Sequence, residues 1–191
     1  NLVQIGDNDS GKILAGIKTF NTKTEREINH YPNFGLSIIK NKNWLISFRH
    51  PTYSKKQPTG HFHQDELSIT LKLEGIPILI DPGTYLYTAN TKWRNYFRSA
   101  KNHNTFYIPE LENNLDNLDL FQNPRKEQID TAIINETDNE IEVENYCNKY
   151  QNFGLTQFRK IKLKDNCLEI KDWIETTKQQ NNIYHWNLVF H

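Results

Sequence analysis

From Tyr31 onward the chain is dominated by short runs rich in β-formers and spaced for strands, separated by polar turns. Phe34-Gly35-Leu36-Ser37-Ile38-Ile39 and Trp44-Leu45-Ile46-Ser47-Phe48, joined by Lys40-Asn41-Lys42-Asn43, predict a hairpin. A second hairpin is expected from residues 67–73 and 76–80 around Glu74-Gly75. A two-residue loop there opposes Leu73 to Ile76, Leu71 to Ile78 and Ile69 to Ile80, so all six apolar side chains share one face, away from Ser68, Thr70 and Lys72. Further strands are expected at 131–134, 140–146, 155–163, 167–174 and 183–190, separated by Asn- and Asp-containing turns. Residues 109–130 are polar, acidic and loop-like, and are expected at the surface. Strand–helix alternation, G-x-G-x-x-G and P-loop motifs and internal repeats are all missing. The pattern predicts an all-β chain, an antiparallel two-sheet β-sandwich spanning 31–191, after a leading linker at 1–30 whose own core is thin.

Composition changes this picture in four ways. The 191 residues carry 23 Lys plus Arg against 23 Asp plus Glu, so no global field draws the chain to nucleic acid or anionic lipid. No run approaches the ~18 apolar residues of a membrane span. The count of zero Met marks the sequence as an expected fragment, processed product or excised domain. Cys147 and Cys167 allow at most one bridge, far from a disulfide-stapled scaffold.

Candidate chemistry concentrates in residues 60–105. Extending the strand at Leu67 backwards gives His61, His63 and Asp65 the parity of Leu67, Ile69 and Leu71, turning a buried face from apolar to ionisable. Such groups must be hydrogen-bonded, metal-bound or lining a polar cavity. Two imidazoles at i and i+2 can share a cation. On spacing alone, a solvated loop holding both is an equal reading. Strict register sets Asp81 about 17 Å from His63, so a contact needs a break at Pro82-Gly83 or a bend near residues 64–66; otherwise Asp81 closes an Asx turn. His103, between two Asn, reads equally as a turn residue. Lys92, Arg94, Arg98 and Lys101 interleave with Trp93, Tyr96 and Phe97, which is either a local anion site or an amphipathic turn with core aromatics.

Taken together, G-H-F-H-Q-D-x-L-S at 60–68, G-x-P-I-L-I-D-P-G-T-Y at 75–85 and R-x-Y-F-R-S-x-x-x-H-N-T at 94–105 resemble the heparinase II/III-like polysaccharide lyases. I-G-D-N-D-S-G at 5–11 is similar to the segment leading into that domain. The resemblance implies a sandwich that pairs with an N-terminal α/α toroid and cleaves anionic, uronic-acid-containing polysaccharide, such as a glycosaminoglycan or alginate, by β-elimination. By the same resemblance, His61 is a catalytic acid/base or carboxylate-neutralising residue, and Tyr87 a further catalytic phenol. His63, Asp81 and His103 match a mainly structural zinc site, and Arg94 and Arg98 contact substrate anions or brace the loop. A bacterial parent exported to the periplasm or secreted is also implied. No helical stretch is long enough for the toroid, so the chain alone is expected to have little or no lyase activity. Two other readings remain at this point: a non-catalytic carbohydrate-binding or structural sandwich, and a cupin-like metalloenzyme, which Glu66 fits poorly because it follows His63 too closely.

Overall fold

The computed structural model describes residues 26–54, 61–86, 88–112, 115, 118–119, 122, 127–177 and 182–191. A five-stranded antiparallel sheet is formed by β1 (Arg26–Tyr31), β2 (Leu36–Asn41), β3 (Trp44–Arg49), β4 (Ile69–Leu73) and β5 (Ile76–Leu79), in that order. Opposite it, β7 (Ile133–Thr137), β8 (Glu140–Cys147), β9 (Leu155–Lys164) and β10 (Cys167–Thr176) form a meander ordered β10-β9-β8-β7. The short strands β6 (Phe106–Tyr107) and β11 (His185–Trp186) pair with each other, and the helix α1 (Thr91–Phe97) stands between β5 and β6. The expected all-β antiparallel sandwich is therefore the observed fold, with β1 beginning ahead of the boundary placed at residue 31. Residues 1–25, most of the expected linker, lie outside the described residues.

One core joins the sheets: Ile39, Ile46, Phe48, Ile69 and Leu71 from the first meet Ile141, Val143, Ile161 and Leu163 from the second, all fully or nearly fully buried. Each buried branched side chain contributes on the order of 1.5–3 kcal/mol. Strict alternation in β8 and β9 buries one face. The outer face sets Glu142 opposite Lys162 and Glu144 opposite Lys160, with Lys160 Nζ 2.9 Å from Glu144 and 3.1 Å from Glu142. Those partly exposed pairs favour the register but add little stability.

The β4–β5 hairpin follows the expected register only at its turn. Leu73 opposes Ile76 and Lys72 opposes Pro77, but a bulge between Leu71 and Lys72 then sets Leu71 opposite Leu79. The extra residue shifts the remaining pairing by one. Residues 109–130 are also less superficial than expected, since Leu115 and Gln128 are buried. Both cysteines are free, Cys147 buried and Cys167 exposed.

Candidate functional site

The site is assembled by a bend the alternation did not reveal. Residues 61–68 do not continue β4 backwards: the chain bends at Gln64 and turns at Glu66–Leu67, where Leu67 takes φ +60°. This left-handed conformation is uncommon for a branched residue and must be held by its surroundings. Leu67 N donates to the Arg49 carbonyl at 3.0 Å, and the Leu67 carbonyl accepts from Arg159 Nη1 at 2.6 Å. Strand parity consequently lapses before Ile69. His61 is exposed, His63 is 3% exposed and Asp65 is half-buried, so the three do not share a face as expected.

The same bend brings His63, Asp81 and His103 together, each offering a ligand atom within 4.8 Å of the others. Asp81 closes the expected Asx turn and also meets a histidine. Its Oδ1 accepts from Gly83 N at 2.8 Å, closing an Asx turn, while its Oδ2 accepts from His103 Nδ1 at 2.9 Å. His63 Nε2 lies 3.1 Å from Thr84 Oγ1. Burial opposes the charged form of Asp81, but the charge and hydrogen bond of His103, with lesser help from His63 and the Gly83 N–H, outweigh it and lower its pKa to about 2. Burial likewise opposes the His103 imidazolium, yet Asp81 holds its pKa above the ordinary value. His103 Nε2 is buried with no hydrogen-bond partner. Two imidazoles, one carboxylate and an orphaned buried ring nitrogen are a donor set that suits zinc.

The loops carrying these ligands are pinned by Asn104 and Thr105, which lie within the H-N-T motif but were assigned no role, and by Arg159, which lies outside the motifs. Asn104, fully buried, donates from Nδ2 to the carbonyls of Ile69 and Ile80, each at 2.8 Å, and accepts from Val189 N at 2.6 Å. Thr105 Oγ1 donates to the Glu66 carbonyl at 2.7 Å. Arg159, on β9, donates to the carbonyls of Leu67 and Asn104 and grips Asp172 with two 2.7 Å contacts. Parity carried a signal for Arg159, which falls on the inward face with Leu155, Ile161 and Leu163.

Around α1 the amphipathic expectation is inverted. Arg94 and Arg98 are fully buried. Arg98 braces the loop: its Nη2 donates to the Asp119 carbonyl at 3.2 Å, and its own carbonyl accepts from Gln64 N at 2.8 Å. The aromatics face outward. Tyr85, Trp93 and Tyr96 are 68%, 44% and 41% exposed, Tyr85 and Trp93 have ring centroids 6.1 Å apart, and Lys101 Nζ stands 4.7 Å from the Tyr96 centroid. Tyr87 lies outside the described residues. No helix among the described residues is long and apolar enough to cross a membrane.

Comparison with known proteins agrees with this architecture. Several solved structures share the fold, two of them as follows. One is described as a heparinase III, the BT4657 gene product, at 14% identity and a TM-score of 0.59, covering 81% of this chain and 23% of that one. The other is the heparan sulfate lyase HepC from Pedobacter heparinus, at 17% identity and a TM-score of 0.55, covering 76% of this chain and 21% of that one. The chain thus spans under a quarter of the length of those enzymes. No curated protein matches it in sequence. The family described as heparinase II/III-like, C-terminal, matches residues 23–191, which include the whole sandwich, and the chain belongs to that family.

Proposed function

We propose that this domain is the sandwich half of a polysaccharide lyase that cleaves uronic-acid-containing polysaccharide by β-elimination. The observation that carries the reading is the convergence of His63, Asp81 and His103 two residues from an exposed His61. In such a reaction a base takes the proton at C5, the electron pair forms the C4–C5 double bond, the C4–O bond breaks, and an acid protonates the leaving oxygen. Removal of that proton requires the adjacent carboxylate to be neutralised. His61, with its ring at the surface, serves as the acid/base or as the neutralising group, and Tyr87 as a second phenolic acid/base. His63, Asp81 and His103 hold zinc, which when bound supplies a rigid tie between the three loops. Asn104 and Arg159 keep those loops in place whether or not the ion is present.

The remaining groups come from an α/α toroid packed against the sandwich, in a bacterial parent that works in the periplasm or outside the cell. The 191 residues alone then release little or no unsaturated sugar, while a polypeptide that also carries the toroid does, read by the ultraviolet absorbance of the new double bond. Robust release by the isolated chain overturns the division of labour. The exposed Tyr85, Trp93 and Tyr96 favour one other reading, a non-catalytic carbohydrate-binding sandwich, because aromatic faces stack on sugar rings. Glycan binding that survives both chelation and His61→Ala, without turnover even alongside the toroid, selects that reading.

A further inference from the structure

A second cluster lies away from the site just described. His30 on β1, His50 immediately after β3 and Asp130 just before β7 each place a possible ligand atom within 4.8 Å of the others. His30 Nε2 is 3.5 Å from Asp130 Oδ2, and His50 Nδ1 is 4.0 Å from Asp130 Oδ1. Tetrahedral ligand atoms at ~2.0–2.1 Å from zinc lie ~3.3–3.4 Å apart, so modest closure suffices.

The surroundings orient the three donors inward. His30 Nδ1 lies 2.9 Å and His50 Nε2 2.7 Å from the same atom, Ser37 Oγ. These are the ring nitrogens opposite the ones that face Asp130. A serine oxygen has two lone pairs and can accept the far N–H of both rings, fixing each in the tautomer that turns a lone pair toward the carboxylate. Asn145 does the same for Asp130. Its Oδ1 is occupied by Tyr146 N at 2.8 Å and Thr131 Oγ1 at 3.2 Å, so its Nδ2 is the donor to Asp130 Oδ1 at 2.8 Å. That leaves Asp130 Oδ2 buried with no hydrogen-bond partner, 3.5 Å from His30 Nε2. Asn145 Nδ2 also lies 3.0 Å from His50 Nδ1, so the positive end of one amide already sits against one of the three ligand atoms. Displacing that single contact admits a cation. His50 and the Asp130 side chain are almost wholly buried, whereas the His30 side chain is 23% exposed and provides the way in.

We infer that His30 Nε2, His50 Nδ1 and Asp130 Oδ2 form a second binding site for a zinc-like divalent transition-metal ion. Two imidazoles and one carboxylate select such an ion over calcium or magnesium. Because His30 and His50 belong to the first sheet and Asp130 leads into the second, the ion acts as a clasp between the sheets and not as a catalytic centre.

The test is zinc stoichiometry. The chain is stripped with a chelator and titrated with Zn²⁺ against a chromophoric competitor, with folding checked by circular dichroism. Wild type takes up two equivalents. His30→Ala and Asp130→Asn each take up one, His63→Ala takes up one, and the His30→Ala/His63→Ala double variant takes up none. His63→Ala retains a zinc-dependent rise in Tm, which is lost when His30→Ala is added. Failure of His63→Ala to lose an equivalent counts against the zinc centre under the proposed function and leaves this site standing. If Asp130→Asn does not fold, His30→Ala, on an edge strand and partly exposed, still decides the matter. Unchanged stoichiometry in His30→Ala overturns the inference.

Discussion

Asn104→Asp isolates the physical role of the residue that pins the His103 loop, because the change alters almost no volume. The Asn104 amide donates to the carbonyls of Ile69 and Ile80, and both bonds are 2.8 Å long in a fully buried setting. A carboxylate offers no donor, so each carbonyl loses a partner, at ~1–3 kcal/mol apiece, and faces a negative oxygen. The variant is expected to lose about 3–5 kcal/mol at pH 7, read from the urea midpoint at unchanged slope. The pH dependence carries a sign. Burial beside two carbonyls raises the folded-state pKa of the introduced carboxyl above its unfolded value of ~3.9. The folded state then holds the proton where the unfolded state has lost it, so stability relative to wild type falls as pH rises from about 4 toward the raised pKa. At pH 4 the neutral carboxyl can donate one hydrogen bond and the deficit shrinks. A loss under ~1 kcal/mol at pH 7, or a deficit unchanged between pH 4 and 7, refutes the reasoning.

Other expectations follow from the same contacts. Arg159→Met leaves Asp172 and the carbonyls of Leu67 and Asn104 without their buried cation, and should cost ~3–5 kcal/mol by urea unfolding, part of it recovered when Asp172→Leu is added. In Gly35→Ala a Cβ would lie 2.6 Å from the His50 carbonyl oxygen at φ +66°, so the variant should lose at least ~2 kcal/mol and ~4–8 °C in Tm by calorimetry. Tyr150→Phe removes the hydroxyl that accepts from Ile108 N at 2.9 Å and donates to Glu112, and should cost ~1–3 kcal/mol in the same denaturant assay.

The fold was legible in the sequence where burial alone sets the pattern. Alternation in β8 and β9 is unbroken, and their observed bounds differ from the expected runs by a single residue at one end. It was less legible where polar contacts override period. Nothing in the periodicity announces that Leu67 turns left-handed, because the cause lies in distant groups, Arg49 and Arg159. Extending β4 through that turn gave His61 the wrong environment and kept Asp81 from His63. The bend judged necessary near residues 64–66 exists, so the convergence of His63, Asp81 and His103 came through motif order and not through register. The inward turn of Arg94 and Arg98 escaped the pattern for another reason. A helix with alternating cations and rings has two possible inward faces, and carbonyl acceptors beneath it, such as that of Asp119, decide in favour of an arginine. Asn145 and Ser37 were invisible as orienting groups, since their partners come from strands far apart in sequence.

The central claim, that this sandwich supplies a proton-handling residue to a lyase site, is tested most directly by His61→Ala in a polypeptide that joins these residues to an α/α toroid. Double-bond formation on a uronic-acid polysaccharide is followed by ultraviolet absorbance, with zinc content and Tm measured alongside. The account predicts a fall of about 10²–10⁴-fold in rate with zinc and Tm unchanged, because His61 is exposed and outside the buried ligand set. Elimination at the wild-type rate in His61→Ala would contradict it.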